Sequence, residues 1–381
     1  MKDIVIFAGS SPYSVISLCM AARKHGGNAY VICFDFDLDI YKKSRYVSEY
    51  YSVRNESIIT FIKDFFKTHL FEEKPILFST TDINCERIVV NRSFFEDYFE
   101  VSLPNNYIID SFNNKSIADE VAIQNGLLTP QTRSIFNKTD VDSAFRSLNF
   151  PVIIKPFSTR ESDFIGFKFK ILYKNEFISS CDQILKHKKA FLCQEYISGL
   201  DAENKFYIFY RNKKGCIISC MGEKTLQING IMTIGTVKYE KTLSDTCEAF
   251  LKKINYIGIG GLEFKAFNGQ LYFIEMSTRT EGFLPISDMA NCSIAEVAYL
   301  DLNNRTIDWN TLPIDCSQYV VFFSWFTNRI LSRKILLFVI EMIRILFNRN
   351  VYCVEKYQKQ FLYCVYNFIK KAINKIMHKL L

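Results

Sequence analysis

Two carboxylates in the second half of the chain stand on an apparent β-hairpin. Glu263 and Glu275 flank an Asn268-Gly269 turn, among apolar and aromatic neighbours that predict partial burial. Two like charges in such a place are costly unless a cation compensates them. Hard cations such as Mg²⁺ take oxygen ligands, typically one or two carboxylates together with substrate phosphates. We therefore interpret the pair as a metal site rather than as a solvated face.

The turn decides whether the two carboxylates share a face of the sheet. A two-residue Asn-Gly loop puts Glu263 and Glu275 on opposite faces, because side chains alternate along a strand. A three-residue loop that ends at a left-handed Gly269 shifts the pairing of the two strands by one residue, which puts both carboxylates on the same face. The metal hypothesis predicts this bulged turn, with Glu275 as the diagonal neighbour of Glu263, and it fails if the turn is a simple two-residue one. Ser277 and Arg279 then follow on the same face.

Three basic residues have positions suited to phosphate binding. Arg279 can hold a phosphate or carboxylate through two parallel hydrogen bonds, the alternative being a surface salt bridge. Lys155 ends a short apolar strand and is followed by a proline, which gives it a rigid position. Lys115 heads a helix capped by Asn113 or Asn114. A lone lysine is usually a solvated charge, so the order of all these residues along the chain carries the interpretation.

The elements around these residues predict an α/β protein in three parts, since 381 residues exceed one ordinary domain. The first hundred residues alternate short apolar runs with helical stretches, which predicts right-handed crossovers and a mostly parallel sheet. The expected parts are an α/β domain at 1–105, a two-lobed domain at 106–300 (lobes about 106–190 and 191–300) and a helical basic segment at 301–381.

Composition argues against several function classes. The 12 cysteines include no C-x-x-C pair and the four histidines are scattered, so we expect reduced cytoplasmic thiols and no zinc site. The loop from Gly9 to Pro12 lacks the G-x-G-x-x-G pattern of a dinucleotide site. Residues 329–381 hold eleven Lys and Arg residues and two acids, which accounts for the net charge of +7. A nucleic-acid footprint over the main body is therefore not expected.

The run from Lys115 to Arg279 resembles the ATP-grasp superfamily of carboxylate–amine and carboxylate–thiol ligases. The motifs that carry the resemblance are the Lys115 to Pro130 opening, the strand Phe150–Pro156, the hinge Gln194–Ile197 and the ending Glu275-Met-Ser-Thr-Arg279. Lys43-Ser-Arg-Tyr-Val47, Thr80-Thr-Asp82 and Leu103-Pro104 look like the pre-ATP-grasp domain of the carboxylate–amine branch. The implied fold is an α/β pre-ATP-grasp domain, an α+β ATP-grasp domain and C-terminal basic amphipathic helices.

The resemblance implies roles for residues that would bind ATP. Lys115 and Lys155 would contact its phosphates, Lys155 also acting in catalysis. The backbone of Glu195, Tyr196 and Ile197 would read the adenine edge.

It also implies the ribose and metal ligands. Asp201 would hold the ribose hydroxyls, with Glu203 as the alternative. Glu263 and Glu275 would bind two Mg²⁺ ions, for which Mn²⁺ could substitute, and Ser277 would be a third metal ligand. Arg279 would steady the acyl-phosphate and its transition state.

Two departures from the family pattern stand out. Ser277 occupies a position where the family usually has Asn, so the second metal would be held more loosely. Residues 157–163 replace a flexible phosphate-covering loop but contain no glycine, leaving Ser158, Thr159 and Arg160 to cover the phosphates. Either departure could instead mark a catalytically weakened ATP-binding or interaction protein, which is the alternative function. A biotin-dependent carboxylase is a more distant one.

The implied reaction joins a small-molecule carboxylate to an amine through an acyl-phosphate. Lys224 is a candidate contact to an anionic substrate, with a plain surface role as the alternative. Ligases of this branch often look like surface-polysaccharide enzymes that amidate uronic acids. The basic, helix-periodic segment 329–381 is typical of an interfacial helix on the inner face of an anionic membrane. The equally weighted alternative is that these helices pack on the enzyme or in a homodimer.

Overall fold

The computed structural model describes residues 1–34, 36–54, 57–157, 170–187, 189–228, 230–315, 318–331, 340–343, 345, 348, 351–366 and 370. The first domain is a parallel five-stranded sheet of order β3-β2-β1-β4-β5. Its strands are β1 (Ile4–Ala8), β2 (Ala29–Phe34), β3 (Glu49–Val53), β4 (Ile76–Ser79) and β5 (Glu100–Val101). Its helices are α1 (Pro12–Lys24), α2 (Asp39–Lys43), α3 (Ile58–Thr68), α4 (Asp82–Val90) and α5 (Arg92–Tyr98). The predicted parallel sheet is confirmed.

The strand order of this sheet reverses between β1 and β4. Every residue of β1 and β2 is buried, as expected for strands covered by helices on both faces. The loops that follow β1 and β4 lie side by side, and the Gly9 amide donates to Thr80 Oγ1 at 2.9 Å. Ligands of open α/β sheets bind in the crevice at such a reversal, outside the carboxyl ends of the strands.

A smaller antiparallel sheet of order β6-β9-β7-β8 follows two linking helices. The linking helices are α6 (Asn106–Asn113) and α7 (Lys115–Gln124). Asn114 caps α7, its side chain accepting from the Ser116 and Ile117 amides. The sheet and its two covering helices comprise β6 (Thr132–Ile135), α8 (Lys138–Ser147), β7 (Val152–Lys155), β8 (Lys170–Leu172), α9 (Phe177–Lys186) and β9 (Phe191–Glu195). Ser158, Thr159 and Arg160, which are predicted to cover the phosphates, lie outside the described residues.

The larger sheet has seven strands in the order β14-β13-β10-β11-β12-β15-β16. A 3₁₀ turn at Asp201–Glu203 leads into it. Its elements to residue 302 are β10 (Asn204–Arg211), β11 (Ile217–Ile228), β12 (Ile231–Val237), α10 (Lys241–Lys253), β13 (Gly258–Phe267), β14 (Gln270–Ser277), α11 (Pro285–Met289) and α12 (Ile294–Leu302). Leu262, Phe264 and Phe273 point to one face, where they pack with α7 and α10. The side chains between them along each strand point to the opposite face of the sheet, which is the face toward α1 and α11.

The hairpin β13–β14 corrects the predicted turn. Phe267 pairs with Gln270, so the loop is a two-residue one, and Asn268 and Gly269 both have positive φ (49° and 76°), as a type I′ turn requires. The three-residue loop expected from the sequence is therefore wrong. The shift in parity comes instead from a bulge within β14, at Ile274.

The C-terminal segment extends the large sheet. It contributes β15 (Gln318–Val320), α13 (Phe322–Leu331), β16 (Val351–Cys353) and α14 (Val354–Tyr357), followed by helical residues 361–366. β15 pairs with β12, and Trp325 of α13 is fully buried. Two strands thus lie where the sequence predicted helices alone. No helix among the described residues is long and apolar enough to cross a membrane.

Candidate active site

The bulge at Ile274 places Glu263 and Glu275 directly opposite each other. Gly261 and Ser277 also lie opposite each other, two residues further along the same two strands. Directly opposed like charges destabilise a sheet unless another charge offsets them. The arrangement therefore concentrates negative charge on the face of the sheet opposite α7 and α10.

Lys224 of β11 offsets part of this charge. Its side chain is 3% exposed, forms an ion pair with Glu263, and its Nζ lies 5.3 Å from the centre of the Phe283 ring. Burial lowers the pKa of Lys224, but the carboxylates of Glu263, Glu281 and Glu275 outweigh it, so the pKa is raised overall. Burial raises the pKa of Glu263 to about 7, with Lys224 opposing the rise and Glu275 adding to it.

Arg279 connects this acidic face to the first domain. Its Nε donates to Asp82 Oδ1 at 3.0 Å, at the start of α4, and its Nη1 lies 3.4 Å from Glu281 Oε2. Burial lowers the pKa of the guanidinium, but Asp82 and Glu281 outweigh that effect and raise it. Arg279 thus lies beside the crevice at the strand-order reversal and keeps its positive charge there.

Lys155 lies at the end of β7 in a buried polar network. Its Nζ donates to Gln194 Oε1 at 2.7 Å, and Gln194 Nε2 donates to Thr132 Oγ1 at 2.9 Å and Asp119 Oδ2 at 3.2 Å. Burial lowers the pKa of Lys155 to about 8, and the positive charge of Lys115 adds to the effect. Asp119, whose own pKa is raised by burial, partly opposes it. This amine has little solvation to lose when an anion binds.

Lys115 is the first residue of α7, as the sequence predicted, and is half-buried. Its backbone amide donates to the Phe157 carbonyl at 3.0 Å, which ties the start of α7 to the residues after β7. Lys115 and Glu275 both lie close enough to Lys155 for their charges to affect its pKa, Lys115 lowering it and Glu275 raising it. The small sheet therefore brings Lys155 within electrostatic reach of Glu275, with Lys115 beside it.

The predicted adenine-reading segment follows β9. The amides of Glu195 and Tyr196 already donate to the Gln131 and Pro151 carbonyls, at 2.9 and 3.0 Å. The Glu195 side chain accepts from the Asn149 amide at 2.8 Å. Backbone contacts to a base in this segment must therefore use its carbonyls or the Ile197 amide.

The two candidate ribose ligands lie on the 3₁₀ turn. Asp201 Oδ2 accepts from the Gln227 amide at 3.0 Å, and Glu203 Oε2 accepts from the Leu200 amide at 2.6 Å. Buried Lys265 lies 3.8 Å from Glu203 Oε2 and donates to the Leu200 carbonyl. Because Lys265 is two residues from Glu263 on β13, the turn lies on the same side of the sheet as the carboxylate pair.

The donor set at this face fits a divalent cation. No group of three His, Cys, Asp or Glu side chains able to hold a metal occurs among the described residues, so an ion here would take Glu263, Glu275 and substrate phosphates. Ser277 is 5% exposed and lies opposite Gly261, beside the pair. This set matches the habit of Mg²⁺, which binds through one or two carboxylates and phosphate oxygens.

Sequence reasoning missed several relationships of this site. The sequence marks Lys224 only as a candidate contact to an anion, and nothing local indicates that it pairs with Glu263. It assigns no role to Asp82 or Glu281, although Asp82 ends one of the motifs and Glu281 follows another by two residues. Gln194 stands out only as part of the hinge. Long-range packing creates these contacts, so local spacing gives no signal of them.

The comparisons agree with this architecture. Residues 120–282 match the ATP-grasp domain family. The chain therefore carries an ATP-grasp domain, and the resemblance seen in the sequence is confirmed.

Similar proteins include two solved structures that share the fold. N5-carboxyaminoimidazole synthetase from Staphylococcus aureus, complexed with ADP, is 15% identical, with a TM-score of 0.64 over 81% of this chain and 79% of that one. Biotin carboxylase from Campylobacter jejuni, in a β-γ-ATP complex, is 16% identical, with a TM-score of 0.65 over 83% and 74%. A biotin carboxylase from Allochromatium vinosum is 39% identical over 54 residues, which is 14% of this chain and 12% of that protein.

Proposed function

We propose that this protein is an ATP-dependent ligase that activates a small-molecule carboxylate as an acyl-phosphate and joins it to an amine. The observation that carries the proposal is the opposition of Glu263 and Glu275, with the charge of Glu275 reaching Lys155 from across the two lobes. Carboxylates for a divalent cation and half-buried lysines for phosphates are the parts that phosphoryl transfer needs. The match to the ATP-grasp domain family supports the same reading.

Each residue has a distinct part in this proposal. Lys155 and Lys115 bind the phosphates of ATP, Lys155 remaining beside the transferred group during catalysis. The segment from Glu195 to Ile197 holds the base, and Asp201 or Glu203 holds the ribose.

The remaining residues act at the reacting carboxylate. Glu263 and Glu275, with Ser277 as a weaker ligand, hold Mg²⁺ or Mn²⁺, which when bound neutralises charge developing on the transferred phosphoryl group. Arg279, kept charged by Asp82 and Glu281, binds the carboxylate that accepts the phosphoryl group. The contact of Arg279 with Asp82, next to the crevice of the first domain, supports an acceptor site between the two domains.

Carboxylate-dependent release of ADP tests this function. The wild type is assayed with Mg²⁺ and ATP against a panel of amino acids, bicarbonate and uronic-acid sugar nucleotides, with hydroxylamine added to trap the acyl-phosphate as a hydroxamate. We expect hydroxamate and ADP in equal amounts with one class of carboxylate. The uronic acids test the proposed link to surface polysaccharides, and bicarbonate tests the carboxylase alternative.

Glu275→Gln is the matched control, since it keeps the side-chain shape and removes the charge. We expect this variant to bind ATP weakly and to form hydroxamate more slowly by about 10²-fold or more. ATP binding by the wild type without ADP release from any carboxylate would contradict the ligase and favour the weakened ATP-binding scaffold.

We also propose that the C-terminal segment touches an anionic membrane surface. Its basic excess and the exposed side chains of Ile340 and Ile343 support this. The segments 332–339 and 371–381, on which much of the hypothesis rests, lie outside the described residues. Sedimentation with vesicles that contain phosphatidylserine, against neutral vesicles, tests it. Sedimentation velocity without vesicles tests the homodimer that is the alternative use of these helices.

A further inference from the structure

One carboxylate at the site has an oxygen that lacks a partner. Glu281 is 7% exposed, and its Oε1 is buried without a hydrogen bond in the described part of the chain. Its other oxygen, Oε2, lies 3.4 Å from Arg279 Nη1. A buried carboxylate oxygen that makes no hydrogen bond is costly, so its persistence calls for a ligand.

The unpartnered oxygen lies over the strand that carries Glu263. A Cβ built on Gly261 would come within 2.8 Å of Glu281 Cγ and 3.2 Å of Oε1, so the glycine makes room for this side chain. Gly261 and Glu263 are two residues apart on β13 and share a face. The charge of Glu281 also raises the pKa of both Glu263 and Lys224.

The surroundings of Glu281 favour a cation. Among the described residues, four carboxylates gather on this face and at the domain junction: Asp82, Glu263, Glu275 and Glu281. Lys224 pairs with Glu263, and Arg279 pairs with both Asp82 and Glu281. A divalent ion at the Glu263–Glu275 pair would neutralise those two carboxylates only, and not Glu281. A Cβ on Gly282 would lie 3.3 Å from Ser11 Oγ, so the chain just after Glu281 borders the loop of the first-domain crevice.

We propose that Glu281 forms the amine subsite of the ligase, an inference that rests on the proposed function. The free oxygen receives the ammonium group of the second substrate, a primary amine, beside the carboxylate held by Arg279. One N–H proton passes to Oε1, and the freed lone pair attacks the acyl carbon. The C–N bond forms as the C–O bond to phosphate breaks, and the second proton leaves with inorganic phosphate. Glu281 is therefore a catalytic residue.

A comparison of two nucleophiles tests this subsite. Hydroxylamine is largely neutral near pH 7, so it needs neither an ammonium site nor a base, whereas ammonium and amino acids need both. In Glu281→Gln we expect the carboxylate-dependent rate with hydroxylamine to fall only as far as it does in Asp82→Asn, because both variants remove one carboxylate partner of Arg279. We expect kcat/KM for ammonium, or for the amino acid that the wild type uses, to fall about 100-fold, a typical share for a general base.

Asp82→Asn separates this role from support of Arg279. Asp82 is the other carboxylate partner of Arg279 but belongs to the first domain, so its loss should lower both rates in proportion. ATP-dependent protection against heat unfolding verifies that each variant is folded. Equal losses with both nucleophiles in Glu281→Gln would overturn the amine subsite alone. A wild type without carboxylate-dependent ADP release would overturn the proposed function and this inference together.

Discussion

Glu275 lies directly opposite Glu263 because Ile274 forms a bulge in β14. A regular two-residue hairpin would have put the two carboxylates on opposite faces, and no shared cation could then have reached both. The bulge is therefore the local feature on which the proposed metal site depends. Bulges recur next to active sites, where they redirect a side chain.

Loss of either carboxylate should raise the concentration of Mg²⁺ that turnover requires. In Glu263→Gln and Glu275→Gln we expect kcat to fall by about 10²-fold or more, because each variant removes one charged ligand from the group that stabilises the phosphoryl transfer. The measurement is the initial rate of ADP release as Mg²⁺ is titrated at saturating ATP. The control is Gln270→Ala, at the exposed start of β14. Unchanged Mg²⁺ dependence in both glutamine variants would contradict the site.

Lys224 should stabilise the fold chiefly by compensating Glu263. In Lys224→Met we expect the free energy of unfolding to fall by about 1–3 kcal/mol, because Glu263 loses the partner that lowers its pKa and must either hold an uncompensated charge or take up a proton. Added Mg²⁺ should recover more stability in this variant than in the wild type. Urea unfolding with and without Mg²⁺ measures both effects.

Lys238→Met is the matched control for that experiment. Lys238 pairs with Glu223 at the surface, where its side chain is 60% exposed, so its loss should cost at most about 0.5 kcal/mol. If Lys238→Met lost as much free energy of unfolding as Lys224→Met, the number of charges in the protein, and not the ion pair with Glu263, would account for the effect.

ATP affinity should depend on pH through Lys155. Its pKa is lowered to about 8, chiefly by burial, and bound phosphates favour the charged form. The Kd for ATP should therefore rise as pH increases above about 8, by up to about tenfold per pH unit. Lys155→Arg keeps its charge and should flatten this dependence. Titration calorimetry across this range tests it, and identical pH profiles would contradict it.

The stability of the ATP-free protein should respond to pH with the opposite sign. Between about 8 and the unfolded value of 10.5, the unfolded chain holds a proton on Lys155 that the folded chain has released. The contribution of this residue to the free energy of unfolding therefore increases with pH in that window. Comparing urea unfolding of the wild type and Lys155→Met on both sides of pH 8 isolates this contribution.

Glu355 should hold the C-terminal segment on the enzyme. Its side chain is 1% exposed and accepts from the Phe322 amide at 3.1 Å, at the start of α13, and from the Tyr13 hydroxyl at 3.3 Å. Glu355→Ala should lower the free energy of unfolding by about 1–3 kcal/mol, since it leaves these donors unpaired. Lys356→Ala, at an exposed neighbouring position, should be nearly neutral. Equal urea midpoints for the two variants would contradict the role.

The sequence supported most of the fold because its strands and helices have strong local signals. The apolar run of β1, a helix cap at Asn113 or Asn114 (the structure has Asn114) and the ending of β7 at Lys155 are all visible in short stretches of sequence. The ATP-grasp resemblance followed from ordered motifs. By contrast, β15 and β16 have three residues each; β15 pairs with the edge of β12, and β16 pairs with β15.

The site was predictable in its residue types but not in its geometry. Periodicity and turn chemistry could not reveal a bulge at Ile274, since this residue looks like any strand residue. The partners of Glu263 and Arg279 come from Lys224 and Asp82, which are distant in the sequence. Such contacts depend on tertiary packing, which a single sequence does not display.

The most direct test of the ligase is the fate of the carboxylate oxygen. With the carboxylate that supports ADP release labelled with ¹⁸O, the account predicts that one labelled oxygen appears in inorganic phosphate for each amide formed. This transfer should require Mg²⁺ and be lost in Glu275→Gln. Product formation with unlabelled phosphate would contradict the acyl-phosphate, and with it the central role of the Glu263–Glu275 pair.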